Sequence, residues 1–387
     1  MKIRTTLLAV WLLGLSVSAA AETRFSAVQQ LIDAEFRKDS RGGVSVGVVE
    51  NGELVWTYCV GQMDEAKGRP ASVDTVYPIG STTKIFTGLM LLQLVERGQV
   101  HLSDPVERYV PEVRQMKNKY PWAPPITLIQ LATMTAGVQR GANMPPGVGK
   151  AVAAAKTFED MAALAIPGFE YLYEPGTASR YSNAGYSILG LALSRAAKRP
   201  FGEYIRSEIL EPLGMHHSAF VAPPQLQEQF ALGYRLDRPQ VAGNVPYNSA
   251  KNLLMPASDL KSTVLDMARL MRFQMLGGNE SVLKQTTLLD SYQLLVPTDA
   301  LMRYGDGVGF AAVRNEDSKL VALGHGGSDA DGFISSYEFD GATKTGIVVL
   351  ANTYKGTANY KRLTRTILAV MNPDSAGGSG LKDFEEH

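Results

Sequence analysis

Apolar positions along the chain change period several times, and each change predicts an element. Val28, Leu31, Ile32 and Phe36 recur at helical spacing, so the stretch from Ser26 to Phe36 reads as an amphipathic helix. Val44–Val49 and Leu54–Val60 are extended apolar runs on either side of Asn51-Gly52, a strong signal for a tight hairpin. From Ser81 to about Met275 the period is mostly helical, broken by proline-bearing loops near Pro111, from Pro121 to Pro125 and at Pro223-Pro224. Strand-like runs return at Val308–Val313, Leu320–Leu323, Gly332–Phe339 and Ile347–Leu350, and Tyr360–Met371 predicts a closing helix. This order predicts an α/β protein with an antiparallel sheet flanked by helices. The α/β domain is split between 22–80 and 290–371, and a mainly helical domain at 81–289 is inserted in it. No internal repeat is evident. A ligand is expected in the cleft between the two domains.

The ends and the composition bound the setting. Residues 1–21 carry a basic start at Lys2 and Arg4, a short apolar core from Leu7 to Val17, and Ala19-Ala20-Ala21, which together read as a secretory signal. The expected location of the mature protein is periplasmic, and the apolar run is too short for a good transmembrane span. Residues 372–387, with Gly377-Gly378-Ser379-Gly380 and a charged end, read as a disordered tail. The chain has 38 basic and 38 acidic residues. Without Lys2 and Arg4 the balance is −2, which gives no electrostatic reason to bind nucleic acid or an acidic membrane. Cys59 is the single cysteine, so no intrachain disulfide can form; it reads as a small buried hydrophobe. His216-His217 are adjacent, not one turn apart, and no metal cluster or cofactor motif is apparent.

The candidate chemistry begins at Ser81-Thr82-Thr83-Lys84, between Tyr77-Pro78-Ile79-Gly80 and the apolar run Ile85–Leu92. A Ser and a Lys three residues apart at a helix start share a face, so the amine reaches the hydroxyl. Desolvation favours the neutral amine, and the helix start favours negative charge near Ser81. The tetrapeptide pattern also occurs at Ser258-Asp259-Leu260-Lys261 and Ser281-Val282-Leu283-Lys284. Ser281 follows Gly277-Gly278-Asn279 and reads as loop; Ser258 follows Pro256 and reads as the cap of an ordinary amphipathic helix. Tyr181-Ser182-Asn183 lies between the turn Glu174-Pro175-Gly176-Thr177 and the apolar run Ala184–Leu191. A tyrosine there becomes a base when a cation such as Lys84 lowers its pKa. Gly324-His325-Gly326-Gly327-Ser328 gives a backbone that a ligand can approach closely, with N–H groups for an oxyanion.

These three motifs, in this order, resemble those of the penicillin-recognising serine hydrolases, and most closely their class C β-lactamase-like branch with its esterases and D-aminopeptidases. The resemblance extends from about residue 25 to 371 and includes Leu128–Val138 and Glu211-Pro212-Leu213-Gly214-Met215. It implies a covalent Ser81 acyl-enzyme. Lys84 and Tyr181 share the proton transfer, and either can be the base. Asn183 orients Lys84 and the substrate. His325, Gly326, Gly327 and Ser328 form the substrate and oxyanion wall, with the N–H groups of Ser81 and Ser328 on the oxyanion. No cofactor is needed, and the partner is a small-molecule or peptide substrate; oligomeric state is left open. Met134 stands where many relatives carry His and reads as a packing variation. Lys344-Thr345-Gly346 spells the family's other third motif, but follows the hairpin signal Asp340-Gly341 and reads as a solvent-facing turn. His325 and Gly326 in place of the Lys and Thr of that motif imply weaker carboxylate recognition. Simple esters or D-amino amides are therefore favoured over penicillins. The alternatives are a true class C-type β-lactamase or D,D-carboxypeptidase, and a non-catalytic module that binds cell-wall peptides. A further rival is an α/β-hydrolase elbow at Gly43-Val44-Ser45-Val46-Gly47, which would need a helix directly after Ser45.

Overall fold

The computed structural model describes residues 24–237, 248–298, 304–314 and 320–372. The leader read at 1–21 lies outside the described residues, as does the tail read at 372–387 except for Asn372, whose N–H bonds Leu368 O at 3.0 Å and so continues the preceding helix. β1 (Gly43–Glu50) and β2 (Glu53–Asp64) pair through Asn51 and Gly52, with φ of 50° and 79°. Positive φ at both positions is what a two-residue hairpin turn demands. β3 (Arg69–Pro70) completes this edge. After a long helical stretch the chain returns as β4 (Val296–Pro297), β5 (Tyr304–Asp306), β6 (Ala311–Arg314), β7 (Leu320–Asp329), β8 (Phe333–Asp340) and β9 (Thr345–Ala351). All nine strands form one sheet in the order β3-β2-β1-β9-β8-β7-β6-β5-β4. Every pairing in it is antiparallel. The two ends of the chain thus meet in the centre, with Val46 opposite Val349.

Five helices matter to the site: α1 (24–36), α2 (Lys84–Glu96), α3 (Asn183–Ala197), α4 (Val264–Leu276) and α5 (Tyr360–Met371). α1 and α5 cover one face of the sheet, where Val28, Ile32 and Ile367 pack with Val44, Val46, Val48, Ile347 and Val349. Alternation sends Val49 to the opposite face, into the larger core that includes Val264 and Met267 of α4. α2 is buried from Lys84 to Leu94 without a solvent stripe, as expected for a helix that is apolar all round. No described helix is long and apolar enough to cross a membrane.

Several expectations shift. The run read as one strand at Val308–Val313 is a hairpin tip followed by β6. Gly307 N–H bonds Phe310 O at 2.8 Å and Gly309 has φ of +83°, so glycines override the apolar run. β7 continues past Leu323 through the glycines to Asp329, so the His325 motif has its own strand, before the one that ends at Asp340-Gly341. Ser258 ends the short helix Met255–Ser258, and Thr263 is the residue that caps α4, accepting from Asp266 N. Cys59 is half-buried, with burial raising its thiol pKa. Two short ladders lie outside the main sheet: Tyr77–Pro78 with Lys261–Ser262, and Tyr234–Arg235 with Thr353–Tyr354. At two residues each they are too short to leave a periodic signal.

Candidate active site

Ser81 sits in a single 3₁₀ turn, Gly80–Thr83, that feeds directly into α2. Residues i and i+3 eclipse in such a turn, which stacks Lys84 over Ser81. The turn is pinned to the sheet from below. Ser335 of β8 donates to Ile79 O at 2.6 Å and contacts Thr82 Oγ1 at 2.8 Å, and Thr82 also donates to His325 O at 3.3 Å. Gly80 adopts φ of +51°, and a Cβ there would lie 2.8 Å from Ser328 N. A Cβ on Gly327 would lie 2.9 Å from Ser81 N. Glycine at both positions therefore brings the Ser81 and Ser328 backbones to the same small space.

Lys84 is fully buried, and four oxygens surround its amine. Nζ lies 3.3 Å from Ser81 Oγ, 2.7 Å from Tyr181 OH, 2.8 Å from Asn183 Oδ1 and 2.7 Å from Ala257 O. None of these is a carboxylate. Burial, reinforced by the cation of Arg140, holds the Lys84 pKa well below the usual lysine range. Ser81 Oγ and Tyr181 OH are hydrogen-bonded to each other, closing a triangle of Ser81, Tyr181 and Lys84. Burial raises the Tyr181 pKa, and the Ser81 hydrogen bond and Arg140 oppose it.

The loop that brings Tyr181 in is held along its length. Arg180 N–H bonds Met134 O at 2.8 Å, and Ser182 N–H bonds the Met134 thioether at 3.4 Å. Met134 is buried, with φ of 61°, so it packs beneath the motif as a support. Ser182 caps α3 through Gly185 N at 2.8 Å, and Asn183 N–H bonds Arg140 O at 2.9 Å. On the opposite wall, His325 is half-buried on β7, and its Nδ1 lies 2.7 Å from Gly326 O. Desolvation is the largest cause that lowers its pKa, to about 3, so the imidazole is neutral.

Ser81, Tyr181, Asn183, His325, Gly326 and Ser328 line one cavity of about 360 Å³. The structure thus brings together the residues expected from the three motifs. The rival sites disperse. Ser45 is fully buried in β1 between Cys59 and Leu350, so the strand continues where an elbow needs a helix. Lys261 is fixed to Asp259 at 2.9 Å, and Ser281 Oγ bonds Asn279 in an exposed loop. Lys344 is an exposed turn residue with φ of +52°.

Sequence reasoning missed other groups in this cavity. Arg140 lies 5.0 Å over the Tyr181 ring. Asp306, at the end of β5, accepts a 2.5 Å hydrogen bond from Ser179 Oγ. Lys361, Arg362 and Arg365 of α5 also line the cavity. None belongs to a motif. For Arg140 the one available signal was its place two residues after the family-like stretch Leu128–Val138.

Comparisons with known proteins place the chain by sequence and by fold. The chain is 28% identical over 331 residues to Protein flp of Staphylococcus aureus (strain N315), an alignment covering 84% of this chain and 62% of the relative. The chain therefore spans less than two thirds of that protein's length. It is 29% identical over 283 residues to a beta-lactamase of Escherichia coli (strain K12), covering 71% of this chain and 69% of the relative. Among solved structures, the octameric penicillin-binding protein homologue from Pyrococcus abyssi superposes with a TM-score of 0.75 at 25% identity, over 91% of this chain and 78% of that one. A beta-lactamase/D-alanine carboxypeptidase from Pseudomonas syringae shares the fold at a TM-score of 0.74 and 20% identity, over 89% of this chain and 98% of that one. The beta-lactamase family profile matches residues 28–372, which spans the sheet, the Ser81 turn and all three motifs: the chain belongs to the beta-lactamase family of serine hydrolases.

Proposed function

We propose that this protein is an exported hydrolase that cleaves esters or amides through a Ser81 acyl-enzyme. The observation that carries it is the buried Lys84 amine held between Ser81, Tyr181, Asn183 and Ala257 with no carboxylate partner. A neutral amine satisfies Asn183 Oδ1 and Ala257 O with its two N–H groups. Its lone pair then faces the Tyr181 hydroxyl. The Ser81 proton passes into this Tyr181–Lys84 unit as Oγ attacks the substrate carbonyl. The oxyanion settles between the N–H groups of Ser81 and Ser328. The unit returns the proton to the leaving alcohol or amine as its bond to the acyl carbon breaks. Water then adds to the acyl carbon and gives up a proton to the same unit, which passes it to Ser81 Oγ as the bond from the acyl carbon to Oγ breaks. Lys84 and Tyr181 share the proton transfer, and either can be the base. The basic start, apolar core and small-residue site of residues 1–21 support export to the periplasm.

The neutral His325 supplies no fixed positive charge where a substrate carboxylate would sit, which favours esters and D-amino amides. A second reading, a true β-lactamase or D,D-carboxypeptidase, draws support from Arg140, which pairs with none of the described carboxylates and lines the cavity. Purified protein is expected to be labelled at Ser81 by a fluorophosphonate, and to show a higher kcat/KM for p-nitrophenyl butyrate than for nitrocefin. A preference for nitrocefin of about tenfold or more, roughly 1.4 kcal/mol in transition-state binding, would establish the second reading. Absence of labelling under conditions that label other serine hydrolases would remove the acyl-enzyme and leave the binding-module alternative.

A further inference from the structure

Two acidic side chains line the active-site cavity, Asp306 and Glu338. Glu338 is paired with Arg365 at 3.2 Å. Asp306 has no cation: among the described residues its hydrogen-bond partner is the Ser179 hydroxyl, at 2.5 Å from Oδ2. Four basic residues line the same cavity and none of them closes on it. Leaving a half-buried carboxylate with one neutral partner is costly unless something else compensates it. Burial raises the Asp306 pKa and the Ser179 hydrogen bond opposes the rise, so an incoming cation would draw the group to its ionised form.

The placement of Asp306 is rigid. It ends β5, opposite Ala311 of β6. The tip of this hairpin, 307–310, is docked backbone to backbone on the nucleophile helix. A Cβ on Gly309 would lie 3.1 Å from Ile85 Cα, and one on Gly88 would lie 2.9 Å from the Val308 carbonyl carbon. Both glycines are needed for that approach. Val308 and Phe310 are buried, and Phe310 packs edge-on to Tyr292 at 5.4 Å. The carboxylate is thus fixed relative to Lys84, and its charge is felt at Tyr181.

We propose that Asp306 is a specificity-determining residue that binds the ammonium group of amine-bearing substrates, such as amides or esters of amino acids with a free α-amine, in the Ser81 cavity. The proposal rests on the Ser81 reading for its substrate class. A competing role is structural: Ser179 lies two residues before Tyr181, so its bond to Asp306 also ties the tyrosine loop to β5. Asp306→Asn separates the two, because the amide oxygen still accepts from Ser179 while the charge is gone. Ser179→Ala breaks the tie and leaves the charge.

The readout is protection of Ser81 from fluorophosphonate labelling by D-alaninamide and by N-acetyl-D-alaninamide, which carries no ammonium. The free amine is expected to protect wild-type protein at about tenfold lower concentration, the discrimination a 1.4 kcal/mol ion pair gives. Asp306→Asn should abolish that difference with N-acetyl protection retained, and Ser179→Ala should keep it. Equal protection by the two amides in wild type overturns the proposal. So does an Asp306→Asn variant that keeps the difference, or one that loses labelling together with Ser179→Ala. If wild-type Ser81 is not labelled, the acyl-enzyme reading fails separately. Calorimetric titration of the same amides into wild type and Asp306→Asn then decides the ammonium site.

Discussion

Lys84 and Lys261 each stand three residues after a serine and each is buried, at 0% and 1% exposure. Their surroundings differ in one respect that decides what they can do. Lys261 Nζ has the Asp259 carboxylate at 2.9 Å and Phe220 O at 2.8 Å. Burial lowers its pKa and Asp259 pulls it back up; burial in turn raises Asp259 to about 6 against the pull of Lys261, which leaves it ionised at neutral pH. Lys84 has four uncharged partners and a neighbouring cation, Arg140, so nothing opposes the downward shift. One lysine holds a structural ion pair. The other has its ammonium form disfavoured, which suits the proton transfer proposed for it. The tetrapeptide is shared; the counter-charge makes the difference.

The sharpest test of this comparison removes the two serines. Ser81→Ala is expected to lower turnover by roughly 10⁴-fold or more, the scale of a lost nucleophile, with an unchanged circular dichroism spectrum. Ser258→Ala should leave kcat/KM within about twofold, since the Ser258 hydroxyl is none of the four groups that hold the Lys84 amine. Ester hydrolysis by both variants settles it. A Ser81→Ala protein that keeps its activity, with Ser45→Ala losing it, would return the site to the β1 serine.

Substituting the two lysines should separate activity from stability. Lys84→Met is expected to cost roughly 10²-fold or more in kcat, the scale of a lost proton-transfer group. Tyr181→Phe should cost a similar amount, and the double variant should be far from multiplicative, because the two groups act as one unit. Lys261→Met should leave kcat nearly intact and lower stability by about 3–5 kcal/mol, the cost of stranding a buried carboxylate. Denaturant titration of the two variants, set beside their kinetics, checks the crossing pattern. A Lys261→Met enzyme as stable as wild type would show that Asp259 does not need its cation.

Legibility followed the same line between local and non-local cause. α1, α2 and the β1–β2 hairpin were readable because their signals are contiguous: the Val28–Phe36 stripe, the unbroken apolar run after Lys84, and Asn51-Gly52. Ser81, Tyr181 and His325 were readable because each lies in a short motif whose order is distinctive. Reading Val308–Val313 as a strand held only from Ala311, because Gly307 and Gly309 turn the chain before it, and its apolar side chains there are buried for another reason, docking on α2. Capping was assigned to Ser258 when Thr263, just before the helical run, does it. Ala257 O, Arg140 and Asp306 were invisible for a different reason. A backbone carbonyl carries no side-chain signature, and Arg140 and Asp306 gain meaning only when a loop and a hairpin tip are brought against Tyr181.

The smallest expected effect concerns how Lys84 is kept neutral. Burial is the larger cause of its lowered pKa, and Arg140 adds to it by disfavouring a second cation nearby. Activity that needs the neutral amine falls as pH drops through the Lys84 pKa, which sets the acid limb of kcat/KM. Removing the Arg140 charge stabilises the ammonium, raises that pKa, and moves the limb to higher pH. Arg140→Gln should therefore lose activity first at the acid end while matching wild type more closely at alkaline pH. The same sign applies to folding. A lysine whose pKa is depressed in the folded state binds fewer protons there than in the unfolded chain, so its contribution to stability rises with pH up to the ordinary lysine range. Arg140→Gln narrows that gap and should flatten the dependence. Lys261 faces Asp259 instead of Arg140, so Asp259→Asn should leave the acid limb of activity in place. A pH–rate profile of Arg140→Gln with its acid limb unmoved would mean that burial alone sets the Lys84 proton affinity. Arg140 would then be left to its contact with the Tyr181 ring and to the substrate.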